Sequence, residues 1–334
     1  MHGRSRSPTL FIFAAAVFML LASSIPAAAA THTGELRNAI RAQANQLDAR
    51  GGLYVQGLAI ASGRLLPDFY AARDYAPIWT SSTRVDELFA LLGTAESHGL
   101  DSRDYYLPQL QQMRERYRES QLSVEGRESS ARLGAALDML LTESLIRFGY
   151  HQRYGKVNPQ AMEPTWNFTR RLPAGKQPLT MLQEVVVAPS LSGILLGWVA
   201  KAPFYRRLQD KLAEFREIAA AGGWPITAAG ATLREGDHDA RIPVIRRRLM
   251  VTGQLSQSVV PDSELFDADL VAGVRNFQAA YGLDADGIIG QRTISEMNVP
   301  VATRIDQLRL SLERARWVTD HPIPSARSLV RTTL

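Results

Sequence analysis

The 334-residue sequence contains no cysteine. Disulfide bridges are therefore excluded, and the chain must hold its fold by core packing alone. Anchoring through an acylated cysteine is excluded, and so is any thiol nucleophile. Aromatic residues make up only 8%, and no basic-aromatic stripe of the kind that binds nucleic acid is present. Long apolar runs are also missing. The longest, Leu10 to Leu21, is about 12 residues, where a membrane-spanning helix needs about 20. The histidines at 2, 32, 98, 151, 238 and 321 show no metal-ligand spacing, so no metal site and no cofactor is expected.

That short apolar run follows Arg4 and Arg6 and precedes "ASSIPAAAA", small residues that end in Ala-x-Ala before Thr31. A basic start, a short apolar stretch and a small-residue cleavage site form a secretory signal, expected over residues 1–30. Cleavage would leave an exported chain without a membrane anchor. Setting aside Arg4 and Arg6 lowers the net charge from +5 to +3, a weak pull toward anionic partners.

The 334-residue chain as a whole is 46% hydrophobic, enough for about two domains. The expected fold class is mainly α. In "RVDELFALLGTAESHGL", Val85, Leu88, Leu91, Leu92 and Ala95 recur at helical spacing. Leu133, Leu137, Leu140, Leu141 and Leu145 do the same in the next long segment, and Leu208, Leu212 and Phe215 in a third. A long irregular connection is expected at about 154–179. The helical domain spans 34–222 and ends at Gly222–Gly223. A Gly/Ala/Pro-rich boundary leads to a small unit at 231–299.

In that unit one helix is expected at about 242–252 and a second at about 267–281. Gly282 takes the left-handed capping position. "DADGIIG" is a turn in which Gly287 and Gly290 supply backbone freedom, and a short third helix begins at Thr293. Seven arginines face ten Asp/Glu in 231–299, so Arg246-Arg247-Arg248 reads as a solvated helix face.

The segments "LREGDHDARIPVIRRRLMVTGQL" and "FDADLVAGVRNFQAAYGLDADGIIGQRTISEMN" resemble the three-helix peptidoglycan-binding module of bacteria over the whole unit. "FYAARDYAPIWT", "AESHGLDSRDYYL" and "RYGKVNP" resemble the scaffold domain of the large exported L,D-transpeptidases. "MNVPVATRIDQLRLSLERARW" resembles the helix that links module to catalytic domain, placing a linking helix at 300–318. The resemblance implies a periplasmic or cell-wall location and peptidoglycan as partner, with other wall enzymes as further candidates. It implies no nucleic-acid partner.

For ligand contact the polar residues near the turn are the candidates: Gln278, Asp286, Gln291 and Thr293. A capping or turn role stands beside that reading for Asp286 and Thr293.

The family's acyl transfer needs a cysteine in a Ser/Thr-His-Gly-Cys motif, on a domain of more than about a hundred residues. Neither is in this sequence. Residues 319–334 follow the linking helix and stop where the first catalytic strand is expected, which implies a shortened relative or a reading frame broken near Ser328. Loss of that neighbour should bare apolar surface around Leu308 and Leu312. Ser97-His98-Gly99-Leu100 mimics the motif with leucine for the nucleophile, but reads as an ordinary glycine helix stop. Asp138 and Glu143 read as solvated acids on a helix with an apolar opposite face. Trp79 and Trp166 read as core before they read as partner anchors. Glu163, near Trp166, is the one acid that a wall-hydrolase reading would use, and it lacks the second carboxyl such chemistry needs. Three functions stay open: a non-catalytic peptidoglycan binder, the front part of an active transpeptidase or another wall enzyme, and a platform for a separate wall enzyme.

Overall fold

The computed structural model describes residues 27–50, 54–122, 126–162, 177–198, 202–257 and 260–318. Most of the signal segment, together with Glu163, Trp166, His321 and the tail 319–334, lies outside the described residues.

Among the described residues the fold is mainly α, as the periodicity predicts. The helices are α1 (Ala27–Arg50), α2 (Leu65–Ala71), α3 (Ser82–Gly93), α4 (Leu107–Leu122), α5 (Arg127–Tyr154), α6 (Pro159–Met162), α7 (Pro178–Val187), α8 (Leu191–Leu196), α9 (Pro203–Ala220), α10 (Ile242–Val251), α11 (Ala268–Ala280), α12 (Gln291–Met297) and α13 (Val301–Val318). Two-residue strands β1 (Tyr54–Val55) and β2 (Leu58–Ala59) pair antiparallel as a small hairpin. The irregular connection expected after Tyr154 is interrupted by the single turn α6.

α5 is the axis of the first core. The sequence reading gave it one apolar face, but it is buried nearly all round by α1, α2, α3 and α4. Small residues make this possible. A Cβ at Gly134 would lie 2.6 Å from the Tyr117 ring of α4, so glycine there lets the two helices close up. Burial on every side also overturns the reading of Asp138 and Glu143 as solvated acids. Glu143 is 0% exposed and Asp138 4%. Both survive burial because loops donate hydrogen bonds to them. The amides of Ala61 and Ser62, the Ser62 hydroxyl and the Arg147 guanidinium all donate to Glu143, at 2.5–3.3 Å. Tyr70 Oη (2.6 Å) and the amides of Ile78 (3.0 Å) and Trp79 (2.9 Å) donate to Asp138. Trp79, half-buried, also donates Nε1 to Thr142 Oγ1 at 2.9 Å.

α9 and α13 pair to form a second, smaller core from Tyr205, Leu212, Leu312 and Ala315. Leu312 is fully buried and Leu308 is half-buried against the same cluster, while Leu310 on the same helix is exposed. α9 covers Leu312, so the bare surface expected there is confined to its neighbours on α13.

The chain leaves α9 through Gly222 (φ +100°) and Gly223 (φ +84°), builds a three-helix unit, and returns as α13. The unit has its own core: Ile245 and Leu249 of α10, Leu270, Val274 and Phe277 of α11, and Ile294 and Met297 of α12. A clasp closes its base. The Asn298 side chain accepts from Thr227 N (2.9 Å) and donates to Thr227 O (2.8 Å), while Trp224 Nε1 donates to Val299 O (3.1 Å).

Candidate binding site

The site grows out of the C-terminal end of α11. That helix starts at Asp267, whose carboxylate accepts from Leu270 N at 3.0 Å and receives Arg246 Nη2 at 2.7 Å. It ends at Gly282, whose φ of +70° completes the expected left-handed stop. The following turn, 284–290, is pinned from two directions. Outside it, Leu233 and Ile289 exchange backbone hydrogen bonds at 3.1 and 3.0 Å. Inside it, Gln278 does the holding.

Gln278 is 2% exposed. Its Oε1 accepts from Gly287 N at 2.9 Å, and its Nε2 donates to Ile288 O and Asp286 Oδ1, each at 2.9 Å. Thr293, also buried, donates Oγ1 to Ile288 O at 3.3 Å. Asp286 accepts from Ile288 N at 2.8 Å, and this bond, then that from Gln278, holds its carboxyl below the usual range. Asp286 and Gln291 are exposed. The four residues thus meet at one turn, two facing inward as struts and two on its outer face.

Gly287 is required here, with φ +78° and a would-be Cβ 2.9 Å from Arg275 Nε and from Val271 Cγ1. Gly290 is not. Its backbone is extended (φ −95°, ψ −176°) and nothing lies within 4 Å of a Cβ, which corrects the expectation that both glycines supply freedom. Asp286 therefore sits on a fixed backbone with Arg234 close enough to favour its charge.

Residues 64–212 match the family model "Scaffold domain", and residues 239–297 match "Putative peptidoglycan binding domain". The chain joins a scaffold domain of L,D-transpeptidase type to a peptidoglycan-binding domain. No curated protein matches the chain. Neither matched domain is a catalytic one.

Within the peptidoglycan-binding domain the arginine run corrects the sequence reading. Arg246 and Arg248 are 0% exposed and only Arg247 faces solvent. Arg246 donates to Leu265 O at 2.7 Å besides its pair with Asp267, fixing the start of α11 against α10. Arg248 donates Nε to Met297 O at 3.0 Å and Nη1 to Thr252 Oγ1 at 2.8 Å. A signal for this was present. Positions 246 and 248 fall four and three residues after Ile242 and Ile245, so they border the apolar stripe of α10.

In the scaffold domain Ser97-His98-Gly99 is a structural junction. Gly99 has φ +70° and a would-be Cβ 3.1 Å from Leu312 Cδ1, so glycine lets α13 approach. His98 is buried, with Nδ1 3.2 Å from Tyr205 Oη, and its carbonyl accepts from Arg316. Burial, then the Arg316 charge, pulls its imidazole down to about 4. No carboxylate hydrogen-bonds to His98 among the described residues. No group of three or more His, Asp or Glu among those residues could hold a metal ion. What the site offers is shape and hydrogen bonding, the means of binding a ligand.

Proposed function

We propose that the chain is exported and attaches to peptidoglycan through the unit 231–299, with the outer face of the 284–293 turn as contact surface. In this reading Asp286 and Gln291 meet the ligand, and Gln278 and Thr293 hold the backbone that presents them. The observation that carries it is the pinned turn itself. Its polar backbone is satisfied from within by a buried glutamine, so the exposed groups stay in one geometry and little ordering entropy is lost on binding. The match of 239–297 to a peptidoglycan-binding family supports the ligand class. The basic, apolar and small-residue pattern of residues 1–30 supports export. The helical domain, 34–222, with the linking helix 300–318, carries the unit. Without a cysteine this sequence offers no thiol for the family's acyl transfer.

The test is sedimentation of the purified chain with insoluble sacculi. Retention in the pellet, weakened by Gln291→Ala with unfolding unchanged, is expected. A chain that stays wholly in the supernatant overturns the reading.

A second reading, a platform for another wall enzyme, is favoured by an apolar groove of about 640 Å³ lined by Met162, Phe204, Leu208, Trp317 and Val318. Co-purification with a transpeptidase or a penicillin-binding protein is its expected result, and consistent absence of both counts against it.

A further inference from the structure

A cleft of about 460 Å³ opens in the scaffold domain between α1, α3, α4 and α5. That volume lies within the ~300–1,000 Å³ of ligand sites. Two aromatic rings line it, Trp79 and Tyr117, and both are fixed before any ligand arrives. Trp79 is held through its amide by Asp138 (2.9 Å) and through Nε1 by Thr142 (2.9 Å). Tyr117 lies so close against α5 that a Cβ on Gly134 would meet its ring at 2.6 Å. His32 stacks on Tyr117 at 6.5 Å and 21°, with Nε2 3.1 Å from its hydroxyl.

Both arginines of the cleft are paired with carboxylates. Arg114 pairs with Asp86 and Glu115, and Arg118 with Glu115. The Asp138 carboxylate at the floor is already held by Tyr70, Ile78 and Trp79. At the exposed rim are the hydroxyls of Thr80 and Ser82 and the amide of Gln121. Pre-set aromatic rings, neutral polar groups at the edge and arginines already paired suit a flat ring that is apolar on its face and hydroxylated at its margin.

We propose that this cleft binds pyranose rings of a β-linked N-acetylhexosamine chain, giving the protein a second, glycan-directed contact separate from the module. The identity of the chain as wall glycan rests on the peptidoglycan reading above. The sugar chemistry rests on the cleft alone. Fixed rings lower the ordering cost of binding, so a weak glycan contact can still add to the module's hold when both engage one strand.

The test is calorimetric titration of the purified full chain with two probes, chitotetraose and a muramidase-released disaccharide, beside sacculus sedimentation of the same samples. Thr80→Arg and, separately, Ser82→Arg place a long side chain across the mouth from exposed positions, and thermal melts check that each variant folds as the wild type does. Expected is binding of both probes by the wild type, at least tenfold weaker in either folded mouth variant. Equal binding by wild type and both mouth variants overturns the proposal. So does the absence of heat with either probe at millimolar concentration while the chain still sediments with sacculi; that result leaves the module reading intact. Sugar binding lost in the mouth variants by a chain that does not sediment keeps the cleft and overturns the module reading. Binding of chitotetraose without the disaccharide overturns the wall strand as its ligand.

Discussion

The guanidinium of Arg248 lies 4.0 Å from the centre of the Trp224 ring, and its other neighbour, the Phe277 ring, is 5.4 Å away. Trp224 belongs to the segment that leaves α9, and Phe277 to the core of the peptidoglycan-binding domain. A cation held between them ties the domain's interior to its point of attachment. Removing it leaves a cavity, an unmet Met297 carbonyl and a lost cation–π contact. Arg248→Ala is expected to cost about 3 kcal/mol. Arg248→Lys is expected to recover only part, because an ammonium cannot reproduce the planar stack. Arg247→Ala, one residue away and exposed, should stay within about 0.5 kcal/mol. Urea unfolding of the three variants measures the contrast.

The inward and outward members of the turn should separate in experiment. Gln278→Ala strands Gly287 N inside the domain and takes one of two donors from Ile288 O; it is expected to cost about 2–3 kcal/mol, with sacculus binding lost as the turn loosens. Gln291→Ala should leave stability within about 0.5 kcal/mol and weaken sedimentation alone. Paired melting and sedimentation curves decide whether the outer face makes contact.

The two glycines of "DADGIIG" should behave differently. Gly287→Ala forces a side chain into the left-handed region and against Arg275 and Val271, a strain of about 1–3 kcal/mol. Gly290→Ala meets open space with an extended backbone and is expected to be neutral or nearly so. Thermal melts of the two variants check this.

Stability should rise from pH 4 to pH 6.5. Burial pulls His98 and His151 each down to about 4, so in this window the unfolded chain takes up protons that the folded chain refuses. Each is worth roughly 3 kcal/mol, present above pH 6.5 and lost as the pH falls toward 4. Asp138 acts in the opposite sense. Burial pushes it up to about 6, so its contribution is full below its unfolded value near 3.8 and is lost as the pH rises through 6. Two histidines outweigh one carboxyl, and the net slope is positive. Urea midpoints at pH 4.5 and 7 should show the difference, and His98→Gln should shrink it. An unchanged midpoint in the wild type counts against the burial of these rings.

The short-range features of this protein were written in its sequence. Apolar spacing placed α10 and α11 to within a residue or so, because a helix shows its 3.6-residue period wherever one face is buried. The left-handed positions at Gly99, Gly282 and Gly287 were equally plain, since glycine adopts that conformation without the strain a Cβ brings. The absence of cysteine settled the thiol question by composition alone. What the sequence could not determine is where charged side chains end up once helices from distant segments meet. Asp138 and Glu143 look like solvent groups until loops some sixty and eighty residues earlier donate their amides. Arg246 and Arg248 look like a basic face until Asp267, Met297 and Trp224 converge on them. Leu312 looks bare until α9, about a hundred residues before it, covers it. Gln278 looks free to bind until the turn folds back over its amide. A buried polar group is stable only with its partners in place, and those partners are brought together by tertiary packing rather than by neighbours in the chain.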